Sequence, residues 1–194
     1  EFRRVLFRSS THAELLTNGA IEIGRDIRTN AATNATGRRT IGAASSQVGD
    51  STFSGTITIG TASQSHLAVT SPASVTVSIT GNILEDAATG NGKLTKVGDG
   101  VVALSGNNTY AGGTVITAGT LLVNNTAGSG TGSGNVDVQA GTLGGTGTVS
   151  GAVSVAGTLA PGSSAGTLRT GGVTFAGTGI FEVQIDGGAS DLLD

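Results

Sequence analysis

The tetrapeptide AGTL occurs at 118–121, 140–143, 156–159 and 165–168, and short alternating runs (TVIT, VDVQ, AVSV) lead into the first three copies. The first three copies are 22 and 16 residues apart, a loose period near twenty. A unit that short cannot enclose a core by itself. It must lie on copies of itself, as one coil of a solenoid does. In TVIT the side chains alternate, so Val115 and Thr117 share one face while Thr114 and Ile116 share the other. Ala-Gly then turns the chain, Thr120 to Val123 resumes as a second strand, and Asn124-Asn125 closes it. Each strand leaves backbone N–H and C=O groups on both edges, and only the coils above and below can pair them. Helix is excluded by the apolar period of two and by the density of glycine, which costs about 1 kcal/mol at each interior helical position.

Composition agrees with thin stacked layers. Gly accounts for 34 of 194 residues, and only 3% are aromatic, too few to fill a conventional globular interior. The runs TFSGTITIG (52–60) and ASVTVSITGN (73–82) alternate in the same style, and AELLTNGAIEIGRDI (13–27) reads as one more coil bounded by Asn18-Gly19. Residues 28–40 are polar and irregular and read as a loop leaving the solenoid. In 173–186 the alternation includes Phe175, Ile180 and Phe181, which suggests a capping region with a thicker core. The expected organisation is irregular coils over 10–92, regular coils over 93–186 and a truncated turn over 187–194. Residues 1–9, EFRRVLFRS, coincide with the translation of a common sequencing-adapter end and are set apart from the fold.

KLTKVGDGVVALSGNNTYAGGTVITAGTLLV (93–123) closely resembles the passenger-associated repeat of bacterial autotransporters. Lys96, Gly98, Gly100, Leu104, Ser105, Gly106, Asn108, Thr109, Tyr110, Gly112, Gly113, Thr114, Gly119, Thr120 and Leu121 fall on that pattern, with Val102 standing where a small or polar residue is more usual. The resemblance implies an all-β, elongated, right-handed parallel β-helix. It also implies a C-terminal outer-membrane β-barrel in the same polypeptide, and location at the bacterial surface or in the medium. The repeat then serves as a structural stalk that helps the passenger fold outward. The alternative is an adhesin-type module for host cells or glycans, and a β-helical polysaccharide-degrading enzyme is a more distant one.

The residues themselves offer little to an enzyme. Gly49-Asp50-Ser51 with His66 is the one combination that suggests a nucleophile, but Gly-Asp-Ser is an ordinary turn and the G-x-S-x-G elbow is missing. Glu85 and Asp86 are neighbours, so an extended backbone sends them to opposite faces. Between Gly100 and Phe181 the only charged residues are Asp137 and Arg169. GGASDLLD (187–194) lacks the recurrence a stacked calcium turn needs, and Thr56/Thr58 and Thr146/Thr148 are too sporadic for an ordered threonine array. Tyr110 is expected to cover a coil corner. A non-enzymatic chain is therefore expected, with no catalytic, cofactor or metal site. A net charge of −3 with no basic stripe or aromatic platform argues against nucleic acid as a partner. The absence of cysteine suits an exported chain that needs no disulfide.

Overall fold

The computed structural model describes residues 4–7, 13–29, 38–60, 66–86, 91–162, 166–186 and 189–194. The described residues form short strands and no helix, wound into a parallel β-helix with three walls. The first wall stacks Ala13–Thr17, Arg39–Ala43, His66–Thr70, Lys93–Val97, Thr114–Ile116, Val136–Val138, Val153–Val155 and Val173–Phe175. The second stacks Glu22–Ile23, Ser51–Phe53, Thr76–Ile79, Val101–Leu104, Thr120–Val123, Thr142–Gly145, Thr158–Pro161 and Ile180–Phe181. The third begins with Arg4–Phe7, which pairs with Asp26–Thr29 although residues 1–9 were expected to stand apart from the fold. It continues through Ile57–Ile59 and Ile83–Glu85, and resumes at Thr148–Val149, Thr167–Thr170 and Leu192–Leu193. All these pairings are parallel, since each coil returns to every wall in the same direction.

Register decides the core. On the first wall Leu15, Ile41, Val69, Lys96, Ile116, Val138 and Val155 form one inward column. On the second, Val77, Val102, Leu121, Leu143 and Leu159 do the same, and Ile27, Ile57 and Ile83 line the third. Apart from Leu15, which is partly buried, and Lys96, which is a buried polar group, these side chains are buried in one continuous apolar cluster. Each fully buried Val, Ile or Leu contributes about 1.5–3 kcal/mol, so stability accrues coil by coil. Slipping one strand by a single residue would turn its whole column outward. Val102 sits in the column with an apolar neighbour on either side, which is why an apolar residue is accommodated there.

Coil length changes along the axis. From Ala13 to Arg39 to Leu67 to Leu94 the register advances 26, 28 and 27 residues, and from Leu94 to Thr114 to Val136 to Val153 it advances 20, 22 and 17. The period near twenty thus belongs to the second half.

The structure revises several expectations. Residues 13–27 lie within a coil that reaches all three walls, with Asn18-Gly19 at an internal corner rather than at its boundary. The loop expected over 28–40 is narrower, because Arg28-Thr29 end one strand and Arg39-Thr40 begin the next. Its centre, 30–37, lies outside the described residues. Phe175 and Phe181 continue the inward columns of Val155 and Leu159, and with Ile180 they lie exposed, rather than in a core, on the last described rung of their walls. Phe175 and Phe181 instead meet edge to face at 6.2 Å. The truncated turn expected over 187–194 is ordered differently: Leu192–Leu193 continues the third wall against Thr167–Thr170, while Ile185–Asp186 and Ala189–Ser190 form an antiparallel pair.

Candidate functional site: a coil-locking repeat

A buried charge and its carbonyl acceptors lie inside the repeat. In KLTKV, strict alternation places Leu94 and Lys96 inward, and Lys96 is buried between Val69 and Ile116. Its side chain runs to the corner joining the first and second walls. There Nζ donates to Gly98 O at 2.6 Å, Val97 O at 3.1 Å and Ala118 O at 3.1 Å. An ammonium has three donors, and here all three are used, two on its own coil and one on the next. Burial pushes its pKa down to about 8, while the nearby Asp99 carboxylate partly opposes that shift. The group is still mainly protonated at neutral pH and acts as a charged clamp between two coils.

The clamp dictates the glycines around it. Gly119 has φ of 64°, and a β-carbon there would collide with Gly100 O, approach Gly98 O to 2.5 Å and Lys96 Nζ to 2.7 Å. Gly98 and Gly100 are equally hemmed in by Ser71 and Pro72 of the preceding coil, and Gly106 by Gly81. The second-wall strands Val101–Leu104 and Thr120–Val123 then stack with Leu104 and Leu121 buried, while Thr120 pairs with Thr142 of the next coil.

Tyr110 was expected to cover a coil corner, and the stretch 104–110 leads to it. That stretch is extended: Leu104, Gly106, Asn108 and Tyr110 are buried, and Ser105, Asn107 and Thr109 are exposed. Ser105 N–H donates to Ile79 O and Thr109 N–H to Ile83 O, so this segment carries the third wall where no strand is formed. Asn108 makes that possible. Its Oδ1 accepts from Ile83 N–H at 2.7 Å on one coil, and its Nδ2 donates to Gly130 O at 2.5 Å on another. One side-chain amide therefore substitutes for two rungs of a peptide ladder. Asn108→Ala is expected to cost roughly 2–4 kcal/mol, because a buried donor and acceptor both lose their partner. Chemical denaturation would measure this, and a loss below 1 kcal/mol would contradict the bridging role.

Tyr110 fills the corner from within. It is buried, its hydroxyl lies 2.7 Å from Thr114 Oγ1, and burial raises its pKa well above the ordinary value. Gly112 and Gly113 follow where the chain passes close to Asn91 and Asn135 of the flanking coils. The repeat pattern singled out Lys96 without placing it inward, and nothing in the letters showed that Ala118, 22 residues on, supplies its third acceptor.

A second buried polar knot went unread in the sequence. Thr17 Oγ1 lies 2.6 Å from Gln47 Oε1 and 2.9 Å from Ser51 Oγ, and Gln47 Nε2 donates to Gly49 O at 2.6 Å. Asn and Asp also recur at corners, each accepting from a backbone N–H of the following coil: Asp26 from Thr56, Asp50 from Thr76, Asn82 from Asn107 and Asn124 from Thr146.

The catalytic combinations weighed above are not assembled. Ser51 faces the interior in the knot with Thr17, Asp50 caps Thr76 N–H, and His66 lies on a different wall. Glu85 accepts from Gly92 N–H at 2.5 Å and Ala111 N–H at 3.0 Å, while Asp86 pairs with Arg28. Among the described residues no three His, Asp or Glu side chains gather as a metal-binding group.

The passenger-associated-transport-repeat family matches residues 94–123, the segment that contains Lys96, Asn108, Tyr110 and the glycine corners. The adhesin BmaC autotransporter of Brucella suis biovar 1 (strain 1330) is 32% identical over 135 residues, 68% of this chain and 3% of that protein. The chain belongs with the autotransporter passengers. An extracellular serine protease of Serratia marcescens is 40% identical over 81 residues, 41% of this chain and 7% of that protein. The passenger chain thus spans only a small part of either relative. No solved structure matches it. Its place is the bacterial cell surface or the medium, reached through the outer membrane.

Proposed function

We propose that this passenger segment is a structural stalk, and that its repeat drives outward folding during display or secretion. The observation that carries this reading is where the repeat's polar side chains go. Lys96 and Asn108 each bond to a neighbouring coil, and the repeat glycines are where adjacent coils approach too closely for a side chain. A coil that has formed outside the cell is then a template for the next, and its burial opposes return of the chain through a pore. The C-terminal outer-membrane β-barrel of the same polypeptide is the proposed partner. In this reading the segment is not an enzyme.

The test is deletion of 93–123 from the full-length protein, scored by surface exposure of an upstream epitope and by resistance to added protease. Both should fall sharply while barrel insertion is retained. Unchanged display and resistance would remove the stalk reading. A second reading, adhesion to host cells, draws on the name of the Brucella relative; it requires the purified segment itself to bind cells, which a stalk does not.

A further inference from the structure

The first wall carries a charge pattern that the stalk role does not use. Parallel register places His66 beside Lys93, and Arg38 one position ahead of the Arg39–Leu67 pair, so Arg38, His66 and Lys93 occupy one rung position on three successive coils. Their repeat along the axis is therefore about 4.8 Å. Leu67 and Leu94, the next residues, are buried, so alternation turns His66 and Lys93 outward; Arg38 is exposed. Among the described residues, Lys96 is engaged by carbonyls, Arg28 by Asp86 and Arg169 by Asp194.

The field on His66 is that of its neighbours. Burial, then Lys93, then Arg38 lower its pKa. Glu14 and Asp137 are the acidic groups on the same wall. Glu14 registers with Thr40 and Asp137 with Val115, and neither forms an ion pair with the three bases. Beside the ladder lies an open groove of about 460 Å³, lined among others by Arg38, Thr40, Ser45, Thr70, Glu14 and Asp99. Hydroxyls and carboxylates in that arrangement suit a ligand that is itself rich in hydroxyls.

We propose that the Arg38–His66–Lys93 ladder and its adjoining groove bind an acidic polysaccharide, with the sugar's anionic groups along the ladder. The rung spacing is close to the rise of one sugar residue in an extended polysaccharide. Nucleic acid is disfavoured despite its charge, because base stacking needs exposed aromatic rings. The single Tyr is buried, the chain has no Trp, and the exposed rings of Phe175 and Phe181 lie on the last described rung of their walls, several coils from the ladder. This site goes beyond the stalk role and does not depend on it.

The experiment is calorimetric titration of the purified full chain at low salt with a heparin oligosaccharide and polygalacturonate. Neutral dextran and single-stranded DNA serve as comparisons. At least one acidic glycan should bind, and Arg38→Ser combined with Lys93→Ser should weaken it at least tenfold and reduce the salt slope by about two. Arg169→Ser should leave binding unchanged, and the His66 pKa followed by NMR should rise on addition of glycan. Both substituted side chains face outward, so an unchanged circular dichroism spectrum separates loss of binding from loss of fold. The proposal is overturned if neither acidic glycan binds, if the double variant binds equally well, or if dextran or DNA binds as tightly. None of these outcomes bears on display by the stalk.

Discussion

A chain carrying valine at both 112 and 113 should lose the repeat coil altogether, at a cost of roughly 4–6 kcal/mol from backbone strain and overpacking together. The coil's geometry explains the size. A β-carbon on Gly112 would collide with Asn91 O and stand 2.7 Å from Asn91 C and 2.8 Å from Gly92 O, all backbone atoms that cannot rotate away. Gly113 has φ of 86°, a region valine rarely enters, and a β-carbon there would lie 2.6 Å from Asn135 O on the opposite side. Between them the two substitutions would push apart the coils both below and above. The bonds lost include Gly112 N–H to Gly92 O at 2.9 Å and Leu94 N–H to Gly113 O at 3.0 Å. Because coils of a solenoid stabilise their neighbours, the damage should be centred on 91–135 and spread outward. Hydrogen exchange would show it as lost amide protection there, and limited proteolysis as new cleavage. Gly177→Ala is the matched control: nothing lies within 4 Å of a β-carbon at that site, and the change should stay within about 0.5 kcal/mol. Native-like protection in the double valine variant would refute the account of these corners.

The second large effect belongs to Lys96. Lys96→Met keeps the apolar stem but takes the donor from Val97 O, Gly98 O and Ala118 O, and a loss of roughly 2–4 kcal/mol is expected from three part-buried carbonyls. Lys96→Glu aims a carboxylate at the same oxygens and should unfold the repeat, since an uncompensated buried charge costs on the order of 3–5 kcal/mol. The pH dependence has a definite sign. The folded pKa near 8 lies below the ordinary lysine value of 10.5, so between them the unfolded chain binds more protons than the folded one. Stability should therefore rise with pH from about 8 upward. Above pH 10 Tyr110 acts against this trend, because the buried phenol keeps its proton while the unfolded one ionises, so the clean window is pH 8–10. Denaturation midpoints across that window should climb for the native chain and flatten for Lys96→Met. A native profile that is flat or falling would show that the ammonium is not held as described.

Much of the fold was legible in the letters. The period-two runs TVIT, VDVQ and AVSV are strands of one wall, and the AGTL copies at 118, 140 and 156 open successive strands of the second. Those patterns survive because the interactions behind them are local: side chains alternate on an extended chain, and glycine follows where the backbone turns. Phe175 and Phe181 fall in the inward columns of Val155 and Leu159, as alternation requires, but alternation does not indicate whether another coil covers that side. The repeat pattern singled out Asn108 but not its role, which is an amide stretched between Ile83 and Gly130.

The sequence by itself determined that this chain is a stack of short strands with glycine corners, and it pointed to the passenger repeat through Lys96, Asn108 and Tyr110. Only the tertiary structure decided how the stack closes. It set three walls rather than two, coils of 26–28 residues shortening to 17–22, and partners for Lys96 and Asn108 some 22 residues further along the chain. Such contacts depend on how many residues each coil spends between walls. That number is set by the summed packing of neighbouring coils, and no local propensity encodes it.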